Sequence, residues 1–477
     1  MKKLNLLGVT ALALGLGGCA AVSIDEAAQQ TNLAYPSFTG GKLELRKTEP
    51  QRQAASALTE SLLAQPLGQA EAVQVALANS PAVQELLAQS SADLAVAAQA
   101  GRIANPIFSF ERIRSVDELE LGRLLSVGLI DLLTLPARQN VARSQAQQAQ
   151  LQLSTEVVER VSQVRQSWVR AVAARQTLQY AQQVSKAAEA GAELAKRLQQ
   201  VGNFTKLQRA REQVFYADAV AQLASIQHAA TAAREDLVRQ LGLTDAQAAQ
   251  LKLPDRLPDL PKTPRAPAEV SAAATAQRLD VQLARTQVDL AGRAQGLNLL
   301  TSFVDVEIGG RRDTVFDNHS GERSNRKGYE LEITLPIFDF GDAQRASLNA
   351  RSLAAAHRYD GVVRAASSHL RVSYSAYRTA YDLARHYRDE IVPLRKTMAE
   401  ENVLRYNGML IGVFELLADT RVQIASVMAA INSEQQFWLA DAALSSSVIG
   451  KPIAGATAGG ITPGTPVSTG GADAAAH

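Results

Sequence analysis

The residues of this chain that could do acid–base, metal or nucleophilic chemistry are few and poorly placed for it. Six histidines are scattered. His357, His369 and His386 do not share the spacing by which one element presents several imidazoles to a metal. No glycine-rich phosphate loop or nucleophile elbow occurs. Gly309-Gly310 ends a strand-like run and is not a phosphate cradle. Adjacent acids such as Glu400-Glu401 read as a solvated helix face. One acidic pair stands apart: Glu415 and Asp419 lie one helical turn from each other, with Arg421 close by. No cofactor and no metal is expected, and an enzyme reading has no site behind it.

Cys19 is the only cysteine, and its context explains it. Met1-Lys2-Lys3 is basic, Leu4 to Leu16 is a short apolar run, and Leu16-Gly17-Gly18-Cys19 resembles a bacterial lipobox. The run is too short for a comfortable transmembrane helix. The expectation is a signal peptide, residues 1–18, that is removed, and acyl chains on Cys19. A plain cleaved signal with a free thiol is the alternative. Lipid on Cys19 holds a protein stably when a second element also enters the membrane. Ala20 stands where an Asp would be the familiar cue for inner-membrane retention, so the outer membrane is favoured.

Composition describes the elements that must carry these residues. Apolar residues make up 46% of the chain, much of it Ala, but aromatics only 5%. That favours thin helix–helix seams over a thick core. The net charge of +2 implies no polyanion, and no basic patch supports a nucleic-acid partner.

The most informative stretch is Lys327 to Asp360. Tyr329, Leu331, Ile333, Leu335 and Ile337 alternate with Glu330, Glu332 and Thr334, the pattern of a strand with one apolar face. After Asp339-Phe340-Gly341 the period changes to that of a long helix. A matching junction lies at Thr134-Leu135-Pro136, after a strand-like run from Glu120 to Leu133. Pro136 and Gly202 are 66 positions apart, and Gly341 and Gly408 are 67, which predicts an internal duplication. Further strands are expected over Ile107–Arg114 and Asn298–Gly309, with a polar loop over Gly310–Arg326. Long helices are expected over Ala137–Gln200 and Asp342–Tyr406, each about 100 Å. Ala356, Val363, Leu370, Tyr377, Ala384 and Ile391 recur every seven residues as a seam. Val157, Val164, Ala171 and Leu178 do the same in the first copy. Pro393 should kink the second long helix. Turns follow at Val201-Gly202-Asn203 and Asn407-Gly408, where Gly would end the helix at positive φ. Return helices then run to about Leu241 and Ser447.

No segment after the signal reaches 18 apolar residues, so no spanning helix is expected. Each chain instead offers four strands of membrane-spanning length. Four strands cannot close a barrel, and an open edge is not tolerated in lipid. If the strands enter a membrane, chains must associate.

At this point a resemblance is clear. Glu330-Leu331-Glu332-Ile333-Thr334-Leu335-Pro336-Ile337-Phe338-Asp339-Phe340-Gly341 and the segment Tyr406 to Arg421 resemble the TolC-like outer-membrane efflux protein family over roughly residues 68 to 450. The resemblance implies an α+β membrane protein: a homotrimer whose twelve-stranded β-barrel, four strands per chain, continues into a long α-helical barrel. It implies an exit duct of a tripartite efflux or type I secretion system, with a periplasmic membrane fusion (adaptor) protein and an inner-membrane efflux pump as partners, and outer-membrane lipid around it. The tips Gly202, Asn203, Phe204, Thr205 and Gly408, Met409, Leu410, Ile411 would dock the adaptor. Glu415 matches an acidic position lining the closed tunnel end. The second acidic position falls on Ala418, with Asp419 displaced by one. Tyr406, Arg405 and Arg421 could supply polar links that hold that end shut. The corresponding parts are a signal (1–18), an extended N-terminal tether (19–65), a first repeat (66–241), a connector (242–267), a second repeat (268–450) and a disordered tail (451–477). The reading from another class is an envelope-spanning structural coiled-coil lipoprotein without a pore.

Overall fold

The computed structural model describes residues 23–40, 42–276, 278–301, 305–335 and 337–451. The signal, Cys19 and most of the predicted tail lie outside them. The described residues form two compact units. One holds residues up to 164 with 238–252 and 277–366; the other holds 165–237, 253–276 and 367 onward.

The segment expected as an extended tether is largely helical. It forms α1 (Ile24–Ala34), α2 (Pro36–Thr39) and α3 (Glu49–Leu63). Ser23 Oγ accepts from Glu26 N at 3.2 Å, and Thr48 with Gln51 makes a capping box. Ile24, Ala27, Ala28, Phe38 and Leu63 are buried. These apolar residues are spaced for a helix face, which the polar composition around them conceals.

The predicted break at Ser80-Pro81 separates α4 (Gln69–Asn79) from α5 (Pro81–Ala100). Pro81 sits in the first turn, where its missing N–H costs nothing. Gly242, at φ +68°, packs against this corner. A Cβ there would lie 2.6 Å from Ser80 Cα, so only glycine fits.

The strands follow: β1 (Ile107–Arg114) and β2 (Glu118–Gly128), then α6 (Leu129–Leu133), α7 (Leu135–Gln200), α8 (Lys206–Leu241), α9 (Asp245–Gln250), α10 (Pro267–Ala276) and α11 (Leu279–Thr301). β3 (Asp305–Asp317) and β4 (Arg323–Thr334) complete one antiparallel sheet of order β1-β2-β3-β4. β1 and β4 are its two edges. The helical connections all leave from one end of the sheet, and both hairpin turns lie at the other. His319 Nε2 meets Asp117 Oδ1 at 2.8 Å between those turns.

Strand boundaries differ from the sequence expectation in four places; one is that β4 ends at Thr334, so Leu335 and Ile337, read as part of its alternation, lie beyond it. The second strand stops at Gly128, because Leu129–Leu133 makes a helical turn closed by Thr134, whose Oγ1 donates to Ile130 O at 2.7 Å. Residues 298–301, read as strand, continue α11. Most of the expected polar loop 310–326 is paired strand. Its charges are tolerated there because Arg311 reaches Glu111, Asp313 and Glu330 at 3.0–3.3 Å.

The chain continues through α12 (Asp342–His386), a π-helical segment (Tyr387–Ile391), α13 (Val392–Asn407) and α14 (Val413–Val448). The expected disturbance at Pro393 takes the form of that π-segment. Pro393 offers no N–H to the carbonyl four residues back, and the ladder lengthens by one just before it.

In the second unit the proline-rich connector is a packed strap. Its carbonyls are taken by aromatic side chains. Tyr381 Oη donates to Pro261 O at 3.0 Å and Trp438 Nε1 to Pro258 O at 3.1 Å. Arg265 N donates to Tyr377 Oη at 3.1 Å. Tyr377, Tyr381 and Phe437 are almost fully buried, with ring centroids 5.6 and 5.7 Å apart from Phe437. Arg265 pairs with Asp441 at 2.8 Å, although burial still pushes the Asp441 carboxyl above its usual range. The predicted seam is buried where it meets this cluster, at Tyr377 and Ala384. It is exposed nearer the start of α12, at Ala356 and Val363.

Phe437→Ala should destabilise the chain by about 3–5 kcal/mol and Tyr381→Phe by about 1 kcal/mol. Thermal unfolding followed by circular dichroism of both variants checks this. Equal effects would contradict the assignment of the ring as packing and the hydroxyl as a tie.

Candidate functional site

The two helical turns singled out in the sequence are built differently. At the first, α7 ends and Gly202 takes φ +84°. Asn203 N donates to Leu198 O at 2.8 Å, and the next helix is started by a reciprocal cap between Thr205 and Gln208. Arg209 reaches across the turn to Gln199 Oε1 at 2.9 Å. Phe204, expected to be exposed, is buried, at 8% exposed. The apolar groups shown to solvent are Val201 and Leu207, which flank the turn; their hydrophobicity beside Gly202 was the available signal.

At the second turn Gly408 has φ −79°, not the expected positive value. The left-handed position falls on Met409, at φ +58°, the only such non-glycine among the described residues. A side chain there costs about 1–2 kcal/mol. Leu410 N closes the turn by donating to Arg405 O at 2.8 Å. Met409 and Leu410 are strongly exposed, 93% and 73%; Ile411, expected beside them, is buried.

The five residues assigned to a gate do not form one cluster within the chain. Asp419 accepts from Asn402 Nδ2 across the α13–α14 hairpin. Arg421 turns to α8, where its Nη2 lies 2.8 Å from Glu212 Oε1 and its Cζ 4.3 Å above the Phe215 ring. Glu212 is buried, and nothing in its sequence neighbourhood marked it as Arg421's partner. Glu415, in the first turn of α14, is exposed, as are Arg405 and Tyr406. An acid at that helix end is favoured by the backbone dipole. Among the described residues no group of His, Cys, Asp or Glu could hold a metal.

The sheet register sorts charge by face. One face carries Glu111, Glu118, Glu120, Asp305, Glu307, Asp313, Asp317, Glu330 and Glu332, with only Arg311 and Arg326 as bases. The opposite face carries no acid. Towards the helical connections it is apolar: Val306 opposite Ile333, then Val127, Ile308 and Leu331, then Phe108, Leu125, Gly310 and Tyr329. Towards the hairpin turns it is basic: Phe110, Arg123, Arg312 and Lys327 in one row, then Arg112 and Arg114 on β1 and Arg323 on β4. This grouping is invisible in a sequence of small net charge, because it is assembled from four strands. Phe108, Leu125, Tyr329, Leu331 and Ile333 are exposed, as are Leu335, Ile337 and Phe338 at the junction with α12. No described helix is long and apolar enough to cross a membrane.

A chain that combines four such strands with very long helices has solved counterparts in fold. A membrane protein from Pseudomonas aeruginosa is 20% identical, with a TM-score of 0.67 over 82% of this chain and 93% of its own. The outer membrane protein VceC from Vibrio cholerae is 16% identical, with a TM-score of 0.65 over 83% and 96%. The CmeC outer membrane channel of Campylobacter jejuni is 13% identical, with a TM-score of 0.66 over 83% and 86%. The chain has the fold of the TolC-like outer-membrane channels. No protein-family model and no curated protein matches the sequence. The TolC-like resemblance read from the strand-to-helix junction is met by the fold.

Glu212→Ala should strand the Arg421 guanidinium over Phe215 and destabilise the second unit by about 2 kcal/mol. Combining it with Arg421→Leu should recover most of that loss. A double-mutant cycle by thermal denaturation checks the coupling, and additive losses would contradict it.

Proposed function

We propose that three copies of this chain form an outer-membrane channel, the exit duct of a tripartite efflux or type I secretion system. One observation carries this reading: a four-stranded sheet with two unpaired edges, one apolar face and one acidic face. Such a sheet cannot stand alone in lipid, and three copies joined edge to edge give a closed, even-numbered barrel of twelve strands. The acidic face would then line water and the apolar band would meet lipid. The exposed apolar residues of the long helices, Leu353, Val363, Leu394 and Leu404, fit contacts between neighbouring copies. The duplicated strand–helix pattern fits two similar halves per chain, within the domain boundaries given above. Acyl chains on Cys19 would add a second hold on the membrane.

The duct does no chemistry. Energy comes from an inner-membrane pump, and an adaptor protein in the periplasm joins the two. The adaptor would meet the tips: Val201, Asn203 and Leu207 at one, Met409 and Leu410 at the other. Phe204 and Ile411 would act from beneath as packing. Glu415 from three copies would form a ring of carboxylates that favours cations. Opening would follow when the adaptor binds the open tip better than the closed one. A structural coiled-coil lipoprotein without a pore leaves the sheet's open edges and segregated faces without a purpose.

Asn203→Cys supplies a reactive thiol at an exposed tip, Cys19 being acylated. Crosslinking in intact cells should capture a periplasmic adaptor. Adding Met409→Ser and Leu410→Ser should cut that capture several-fold. A thiol labelled from outside the cell, or capture of this chain alone, would contradict the topology.

A further inference from the structure

The basic row on the apolar face has no part in the duct reading. Arg123, Arg312 and Lys327 lie directly opposite one another on three adjacent strands. Like charges in direct cross-strand register destabilise a sheet unless something neutralises them. No acid shares that face, and the acids of the sheet all point the other way. Arg123 is partly occupied, donating to Thr314 Oγ1 at 2.9 Å, and Arg323 sits 5.6 Å from the centre of the Phe316 ring. Arg112, Arg312 and Lys327 are exposed. The cations begin one row beyond Phe108, Leu125 and Tyr329, about 7 Å further along the strands. They therefore stand where an apolar band ends, at the sheet end remote from every helical connection.

We propose that this patch binds the phosphates of an anionic glycolipid in the outer leaflet. The inference rests on the membrane reading above. Charge and position favour lipid over a soluble polyanion: the cations adjoin the lipid-facing band, and a headgroup whose acyl chains lie along Tyr329 and Leu331 presents its phosphates at this level. Each surface cation attracts an anionic headgroup by a factor of about five. In a closed trimer the patch repeats three times around the rim.

The test uses the full-length protein in phosphatidylcholine vesicles doped with fluorescent bisphosphorylated lipid A or its dephosphorylated counterpart. A donor dye on Val116→Cys, in the exposed turn between β1 and β2 beside the patch, reports enrichment of the probe by energy transfer. The wild type should enrich the phosphorylated lipid and lose that preference at high salt. The variant R112Q/R312Q/K327Q should bind it roughly a hundredfold more weakly, whereas Arg326→Gln on the acidic face should change nothing. Lys327→Gln alone, expected to cost about fivefold, serves if the triple variant fails to assemble. Assembled variants that match the wild type would overturn the proposal. So would equal displacement by millimolar inorganic pyrophosphate or by a DNA oligonucleotide, which would mark a site for soluble anions. A wild type that enters vesicles without headgroup preference sinks this inference and leaves the channel reading standing. A wild type that enters neither vesicle sinks both.

Discussion

The constraint on which the rest depends is the pair of unpaired edges on a four-stranded sheet. β1 and β4 each present backbone N–H and C=O groups with no strand partner among the described residues. In water such edges invite aggregation, and in lipid each unsatisfied group costs several kcal/mol. Neither edge strand contains a proline, and both display exposed apolar residues, Phe108 and Phe110 on one and Tyr329 and Leu331 on the other. Pairing β1 of one copy with β4 of the next satisfies both edges at once. In the proposed channel that pairing would close the sheet, with the acidic face towards water and the apolar band towards lipid.

The helices solve a different problem with different means. They have little aromatic material, so the thin seams between them are assisted by a few concentrated anchors. The strongest lies where the proline-rich strap crosses Tyr377, Tyr381, Phe437 and Trp438. Prolines remove donors from the strap but leave its carbonyls, and tyrosine and tryptophan donors meet them. Such an anchor fixes one level of the second unit. The turns beyond it are held by local caps and by the Arg421–Glu212 tie, so contacts at the turns would meet less resistance than contacts at the strap.

The sequence made legible whatever depends on periodicity. Alternation around Tyr329–Ile333 located an edge strand, and the change of period at Gly341 located the start of a long helix. Pro393 marked a real break in the ladder. What escaped was whatever depends on pairing between distant segments. Arg311 looked like a loop residue until Glu111 and Glu330 were brought to it. The basic row was hidden because each of its members is flanked in sequence by residues of the other face. Glycine misled once: Gly408 suggested the left-handed position, but the turn assigns it to Met409. Phe204 and Ile411 looked like contact residues because a turn exposes its backbone, yet their side chains fold inward and leave Val201, Leu207 and Leu410 outside.

The edge pairing can be measured directly. Ser109→Cys on β1 and Gly328→Cys on β4 place thiols on the acidic face of the two edges, and the proposed acylation would keep Cys19 silent. A short bifunctional thiol reagent applied to membranes should convert the chain to a covalent trimer on denaturing gels, while each single-cysteine variant stays monomeric. A chain that remains monomeric in the double variant, or that builds an open ladder beyond three, would contradict a closed barrel of three copies.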